Sequence, residues 1–311
     1  MLRVLCVGEA LVDVVIDRRK DRRLEMTAYP GGAPANVATF LSSLGLQTWL
    51  ATVLGLDYFG RFVRSELEEA GVKLDYSLQM DMDMLMAIVE LGQAGVPRYS
   101  FRRDRRIVDV LSVDAFSDLP VGQFDLVHCG SLGLLYEPER QAYLALVERA
   151  MREGIMLSLD PNVRWASGVD FDGYRKVMLD LVSKVDIFKA SRDDLVALFG
   201  ADYLTKLKEQ RSGRPTFITE GHLGSTVVHG GNQAHLPQEQ TEVVDTTGCG
   251  DAYMAAILRV LLEKEWSWRN MTEAARFGNQ VAAIVAAYPG ATGATALLGD
   301  IIAAKTDIVV N

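Results

Sequence analysis

The chain has 311 residues, about twice the ~150 that serve as a soft prior for one domain, so a single large α/β domain or a core with an accessory piece both fit. Its composition, 49% hydrophobic and 23% charged with 27 glycines and 9 prolines, excludes collagen-like and disordered chains. With 41 acidic against 32 basic residues the net charge is −9, which excludes general nucleic-acid or anionic-membrane binding but leaves room for a local anion site. In chain order, the apolar run 2–7 reads as a strand and 34–44 as a helix with Val37, Phe40, Leu41 and Leu44 on one face, closed by Gly45. A strand at 48–53 and a helix at 58–70, closed by Gly71, repeat the unit. Further strands are expected at 125–129, 155–159, 186–189 and 215–219. They alternate with helices at 138–152, 172–184 and 192–199, and 251–264 and 271–287 close the chain.

This pattern predicts a doubly wound, mostly parallel sheet between helical layers. Two stretches break the rhythm: 13–29, and 75–105, where MLMAIVELG and PRYSFRR read as a hairpin around Gln-Ala-Gly-Val with no helix between. They form a discontinuous β appendage on a core made of 1–12, 30–74 and 106–311. Cys6, Cys129 and Cys249 are odd in number and far apart, as expected of reduced thiols in a cytoplasmic protein. The N-terminal apolar run is broken by Gly8, Glu9 and Asp13, and no apolar run approaches the ~18 residues of a membrane span.

Ligands of open α/β sheets bind beyond the carboxyl ends of the strands. Three expected strands end there in polar loops: Asp160-Pro161-Asn162-Val163-Arg164, Lys189-Ala190-Ser191-Arg192-Asp193-Asp194, and Thr219-Glu220-Gly221-His222-Leu223-Gly224. Singly, turn and cap chemistry explains each; together they point to one crevice. Asp245-Thr246-Thr247-Gly248-Cys249-Gly250-Asp251 runs into a helix. Its two glycines let consecutive N–H groups face one concavity at the positive end of the helix dipole, an anion site for phosphate. A carboxylate at Asp251 beside that hole can accept a hydroxyl proton. At the other end of the chain, Pro30-Gly31-Gly32-Ala33-Pro34-Ala35-Asn36 lets backbone approach a ligand and places Asn36 in a first helical turn. There is no GxxxxGK[ST], GxGxxG or HExxH, and the four histidines lack metal-ligand spacing.

PGGAPANVA and DTTGCGDAY, separated by this α/β pattern, resemble the two signatures of the ribokinase (phosphofructokinase B) family of carbohydrate kinases. VGEALVD, LGLDYFGRF, DPNVR, KASRDDL and ITEGHLGS fall in the family's order, and the fructokinases are the branch that the chain most resembles. The resemblance implies a three-layer αβα fold whose β appendage is a lid over the sugar and the contact of a homodimer. It implies MgATP as phosphoryl donor, with Asp251 as the base and Gly248, Cys249 and Gly250 as the anion hole. Asp13, Gly31, Gly32 and Asn36 would hold the sugar, with Arg103 (Arg102 in an alternative register), Asp160, Asn162 and Arg164 as further substrate or phosphate contacts. Lys189 and Ser191 would lie by the phosphates, Thr219, Gly221 and Gly224 by the ribose and phosphate turn, and Asn279 by the adenine.

Three features depart from the family pattern. Cys249 replaces an alanine, putting a thiol beside the phosphates where oxidation would inhibit. Ser191-Arg192-Asp193-Asp194 replaces Asn-x-x-Glu, so that Asp194 would organise Mg2+ indirectly with a shorter acid. The lid's RRDRR at 102–106 is more basic than is usual, hinting at an acidic substrate. Asp245, Thr247 and the segment 289–293 would bind K+. Phosphorylation of fructose to fructose 6-phosphate is the expected reaction. 2-Keto-3-deoxygluconate, ribose or a nucleoside are alternative acceptors, and a non-catalytic sugar-binding protein on the same fold is the alternative outside the class. Asp13 argues against the keto-acid, because a carboxylate suits a neutral polyol better.

Overall fold

The alternation of apolar strands with amphipathic helices resolves into layers. A computed structural model describes residues 2–91, 97–164, 170–211 and 213–299. The strands are β1 (Arg3–Val7), β2 (Leu11–Lys20), β3 (Arg23–Gly31), β4 (Gln47–Ala51), β5 (Val53–Gly55), β6 (Leu78–Met80), β7 (Met86–Leu91), β8 (Pro97–Arg102), β9 (Leu126–Gly130), β10 (Met156–Asp160), β11 (Ile187–Ser191), β12 (Thr216–Thr219), β13 (Ser225–His229) and β14 (Asn232–Leu236). The helices are α1 (Ala33–Ser43), α2 (Tyr58–Glu69), α3 (Ile107–Val110), α4 (Glu139–Arg152), α5 (Phe171–Lys184), α6 (Arg192–Phe199), α7 (Tyr203–Gln210), α8 (Cys249–Glu263) and α9 (Trp268–Ala286).

Eight strands make one sheet in the order β14-β13-β12-β11-β10-β9-β1-β4, parallel from β4 to β12 and antiparallel at β13 and β14. Side chains alternate across it. Leu5, Val127, Leu157 and Phe188 pack with α4 to α7, and Val4, Leu126, Ile187 and Phe217 pack with α1, α2, α8 and α9. This is the three-layer αβα arrangement expected from the sequence. Toward the carboxyl ends of the strands, the second face turns polar while staying buried, with His128, Ser158, Asp160 and Lys189. His128 Nδ1 lies 3.0 Å from Ser158 Oγ, so these groups partner one another inside the sheet.

A separate four-stranded sheet, β3-β2-β7-β8, pairs β2 with β7 in parallel and its other neighbours antiparallel. The Gln-Ala-Gly-Val link at 93–96 lies outside the described residues, as do 300–311 at the end of the expected core segment.

The structure adds elements that the periodicity did not show. β5 and β6 form a two-stranded parallel pair. The expected strand 48–53 is interrupted at Thr52, whose buried hydroxyl accepts the Ala10 N–H at 3.0 Å. β13 and β14 form a hairpin through Gly230 and Gly231, at φ 55° and 84°. Both glycines take the left-handed values of a mirror-image two-residue turn, so the Gly-Gly pair was the available signal. Among the described residues no helix is long and apolar enough to cross a membrane.

Candidate active site

The parallel strands deliver their following loops to one edge of the sheet, and the N-termini of α1 and α8 meet there. A cavity of about 620 Å³ lies between this edge and the small sheet, lined by Asp13, Gly32, Asn36, Asn162, Arg164, Thr247, Gly248, Gly250 and Asp251. Gly31 lies at its margin, where a side chain would collide with the Asp13 carboxylate. Burial pushes Asp13 up to about 6, against the opposing pull of the Arg164 guanidinium and with a small push from Asp245. Arg164 sits 5.6 Å from the Tyr99 ring centre, so the wall contributed by the small sheet joins the loop after β10.

Asp251 is buried in the first turn of α8, where its Oδ2 accepts the Asn36 side-chain N–H at 2.8 Å. This bond joins the two halves of the site across 215 residues of sequence. Burial pushes the carboxyl up to about 7, with Asn36 the main opposing influence. Gly248 caps α8 with φ 77°, and a side chain there would come within 2.5 Å of the Ala291 carbonyl oxygen. The turn therefore requires glycine. Lys189 Nζ lies 3.0 Å from where a Gly250 side chain would begin, so a cation stands at the helix N-terminus. The same Nζ donates to Asp160 Oδ2 at 2.7 Å, and both residues are buried. Burial opposes the lysine's charge, but the adjacent carboxylate outweighs it and holds Lys189 above its ordinary range.

A second cavity, of about 730 Å³, opens on the other side of Gly250. Lys189, Ser191, Asp194, Thr219, Gly221, Gly224, Cys249 and Asn279 line it, and Asn162, Arg164 and Gly250 are common to both cavities. The two cavities therefore meet at the start of α8.

Several expected site residues are occupied otherwise than the sequence suggested. Arg103 lines neither of these two cavities. It pairs with Glu139 and donates to the Glu137 carbonyl, and Arg102 is turned to the exposed face beside Ser100. Alternation along β8 places Tyr99 and Phe101 at the first cavity and Arg102 on the opposite face, while Arg103 lies beyond the end of the strand. Asp194 and Ser191 form a reciprocal cap on α6, and the other Asp194 oxygen accepts the Val163 N–H at 2.8 Å, so its carboxylate is engaged in holding two loops. The Asn279 side-chain amide donates to the Leu236 and Pro237 carbonyls and builds the cavity wall with its N–H groups spent. Asp245 accepts from Thr247 N and Oγ1 through one oxygen and from Gly290 N through the other, tying the loop before α8 to the turn at 289–293.

The Cys249 thiol lies 3.5 Å from the Ala282 carbonyl oxygen, and burial pushes it up to about 12. It therefore holds no thiolate at neutral pH, against the expected sensitivity to oxidation. Alkylation of the native protein by iodoacetamide at pH 7.5 should be about a hundredfold or more slower than that of a free thiol. Rapid labelling at Cys249, read by peptide mass spectrometry, would contradict this environment.

Sequence reasoning missed Glu9, Tyr99, Phe101 and Ser131, all of which line the first cavity. Ser131 follows β9 directly and Glu9 follows β1 after Gly8, the signal that identified the later loops.

The profile of the pfkB family carbohydrate kinases matches residues 1–296. Fructokinase-1 of Oryza sativa subsp. japonica is 31% identical over 300 residues, covering 93% of each chain. Aminoimidazole riboside kinase of Salmonella enterica, solved with aminoimidazole riboside and an ATP analog, superposes with a TM-score of 0.80 at 26% identity over 96% of this chain and 99% of that one. The fructokinase of Xylella fastidiosa, solved with ATP, has a TM-score of 0.84 at 22% identity over 98% and 99% of the two chains, and shows the shared fold.

Proposed function

Since the chain belongs to the pfkB family of carbohydrate kinases, we propose that it transfers the γ-phosphoryl group of ATP to fructose, giving fructose 6-phosphate. The observation that carries this reading is the buried Asp251 at the α8 N-terminus, where the two cavities meet. In the reaction, Asp251 takes the proton of the attacking hydroxyl. Asn36 aims that carboxylate through one amide N–H while facing the sugar cavity, and the N–H groups of Gly248, Cys249 and Gly250, with Lys189, meet the charge that spreads over the transferred group. The transition state is loose, so positioning and charge matter more than base strength.

Magnesium brought by ATP would neutralise the phosphates and, keeping several waters, fits a site where the described residues form no cluster of three or more metal-ligating side chains. Asp194, engaged at α6, would act on it only through water. Asp245 and the 289–293 turn offer hard oxygens for K+. A homodimer through the small sheet belongs to the same reading, and Leu24 and Met26 of β3 are each more than half exposed. The keto-acid alternative loses its lid arginines, because Arg102 and Arg103 lie outside the acceptor cavity, and keeps only Arg164 there.

The test is ADP release from MgATP, with and without K+, against fructose, ribose, 2-keto-3-deoxygluconate and nucleosides. Selective turnover of fructose is expected. Turnover confined to the keto-acid, or to a nucleoside, would overturn the fructose assignment.

A further inference from the structure

A third cavity, of about 340 Å³, lies behind the acceptor cavity, between α1, α2 and the segment 292–296. Helical spacing builds two of its walls. Ala35, Asn36, Thr39 and Ser43 recur on one face of α1, and Val63, Glu66, Leu67 and Ala70 on one face of α2. Ala35, Val63 and Leu67 are buried and give an apolar floor, while the carboxylates of Glu66 and Glu69 stand exposed at the rim.

The polar groups of this cavity are mostly acceptors. Ser43 Oγ donates its hydrogen to the Thr39 carbonyl at 3.0 Å, and Thr295 Oγ1 donates to the Thr292 carbonyl at 3.0 Å, so each hydroxyl oxygen keeps only lone pairs for the cavity. Glu66 and Glu69 form no ion pair with a described residue, and no lysine, arginine or histidine lines the cavity. Thr39 is the independent sign of a missing ligand. It is 5% exposed and lines the cavity, yet its hydroxyl hydrogen-bonds no described residue. A buried hydroxyl in that state is costly unless a bound molecule completes it.

We propose that this cavity binds a short aliphatic diamine, whose ammonium groups donate to the Glu66 and Glu69 carboxylates and to the hydroxyl oxygens, while its methylene chain lies on Val63 and Leu67. A neutral polyol would leave the two carboxylates without a counter-charge. The cavity is also an effector site. Asn36, which holds Asp251, lines this cavity and the acceptor cavity alike, and Gly31, packed against the Asp13 carboxylate, stands in its wall. An occupant that restrains these two residues changes the affinity for sugar, and sugar changes the affinity for diamine by the same factor. The coupling rests on the sugar-kinase reading, whereas the binding does not.

The test is calorimetric titration of the protein with 1,4-diaminobutane and with the uncharged 1,4-butanediol, at constant ionic strength and with saturating K+ so that the Asp245 turn does not compete. Saturable binding of the diamine and none of the diol is expected. The double variant Glu66→Gln, Glu69→Gln should weaken binding about tenfold or more, and Thr39→Val about threefold or more, with Tm close to wild type because each replacement keeps its shape. Absence of saturable binding, equal affinity for the diol, or an unchanged Kd in the double variant would overturn the site. At saturating MgATP the diamine should shift the sugar KM about threefold or more in the wild type and not in the double variant. A KM unmoved by saturating diamine would overturn the coupling. If no sugar is phosphorylated, the kinase reading fails, and the titration still decides the site.

Discussion

Replacing Asp251 with alanine should lower kcat by about a hundred- to ten-thousand-fold, while the KM for sugar changes far less. In the proposed reaction the residue is the proton acceptor, and Asn36, Asp13 and the glycine backbone would be left in place to bind. Asp251→Asn should behave alike, since an amide keeps a partner for Asn36 but takes no proton. Near-wild-type turnover by either variant would remove Asp251 from the reaction. The wild-type pH profile supplies an independent check. Burial raises the Asp251 carboxyl to about 7, so below that pH the group is increasingly protonated and cannot act as base. kcat/KM should therefore fall with acidification, by about tenfold per pH unit below 7, and level off above it. Glu9, raised to about 7, and Asp13, raised to about 6, both chiefly by burial, titrate in the same range, so the acid limb belongs to the set. A rate independent of pH between 5.5 and 8 would contradict the buried carboxyl.

The second large effect is on stability. Lys189→Met should destabilise the fold by about 3–5 kcal/mol, because it leaves the Asp160 carboxylate buried 29 residues away in sequence and without its cation. Asp160→Asn should cost a similar amount for the opposite reason. A loss of that size corresponds to a fall in Tm of about 5–10 °C in a chain of this length. The double variant should recover most of the stability, since a buried pair replaced by uncharged groups avoids the desolvation of both charges. It should not recover activity, because the cation beside Gly250 is gone. Thermal denaturation of the four proteins checks this. Simple additivity of the two single losses would show that the charges do not depend on one another.

The mutual placement of these charges was not legible from the chain. The sequence by itself determined the layered α/β architecture, through the regular exchange of strand and helix periods, and the glycine turn at the start of α8, where Gly248 takes a left-handed φ. It also marked the two odd stretches that form the small sheet. Tertiary structure decided what each polar residue does once loops from distant strands converge. Asn36 and Asp251 become partners, Asp194 and Asn279 spend their groups on backbone, and Arg103 turns to Glu139 while Tyr99 and Phe101 face the cavity. A periodic pattern records which face of an element is buried, but the competition among neighbours for each donor and acceptor is settled only when all of them are present. Ser131 shows the same limit, since a strained φ exists only in the folded chain.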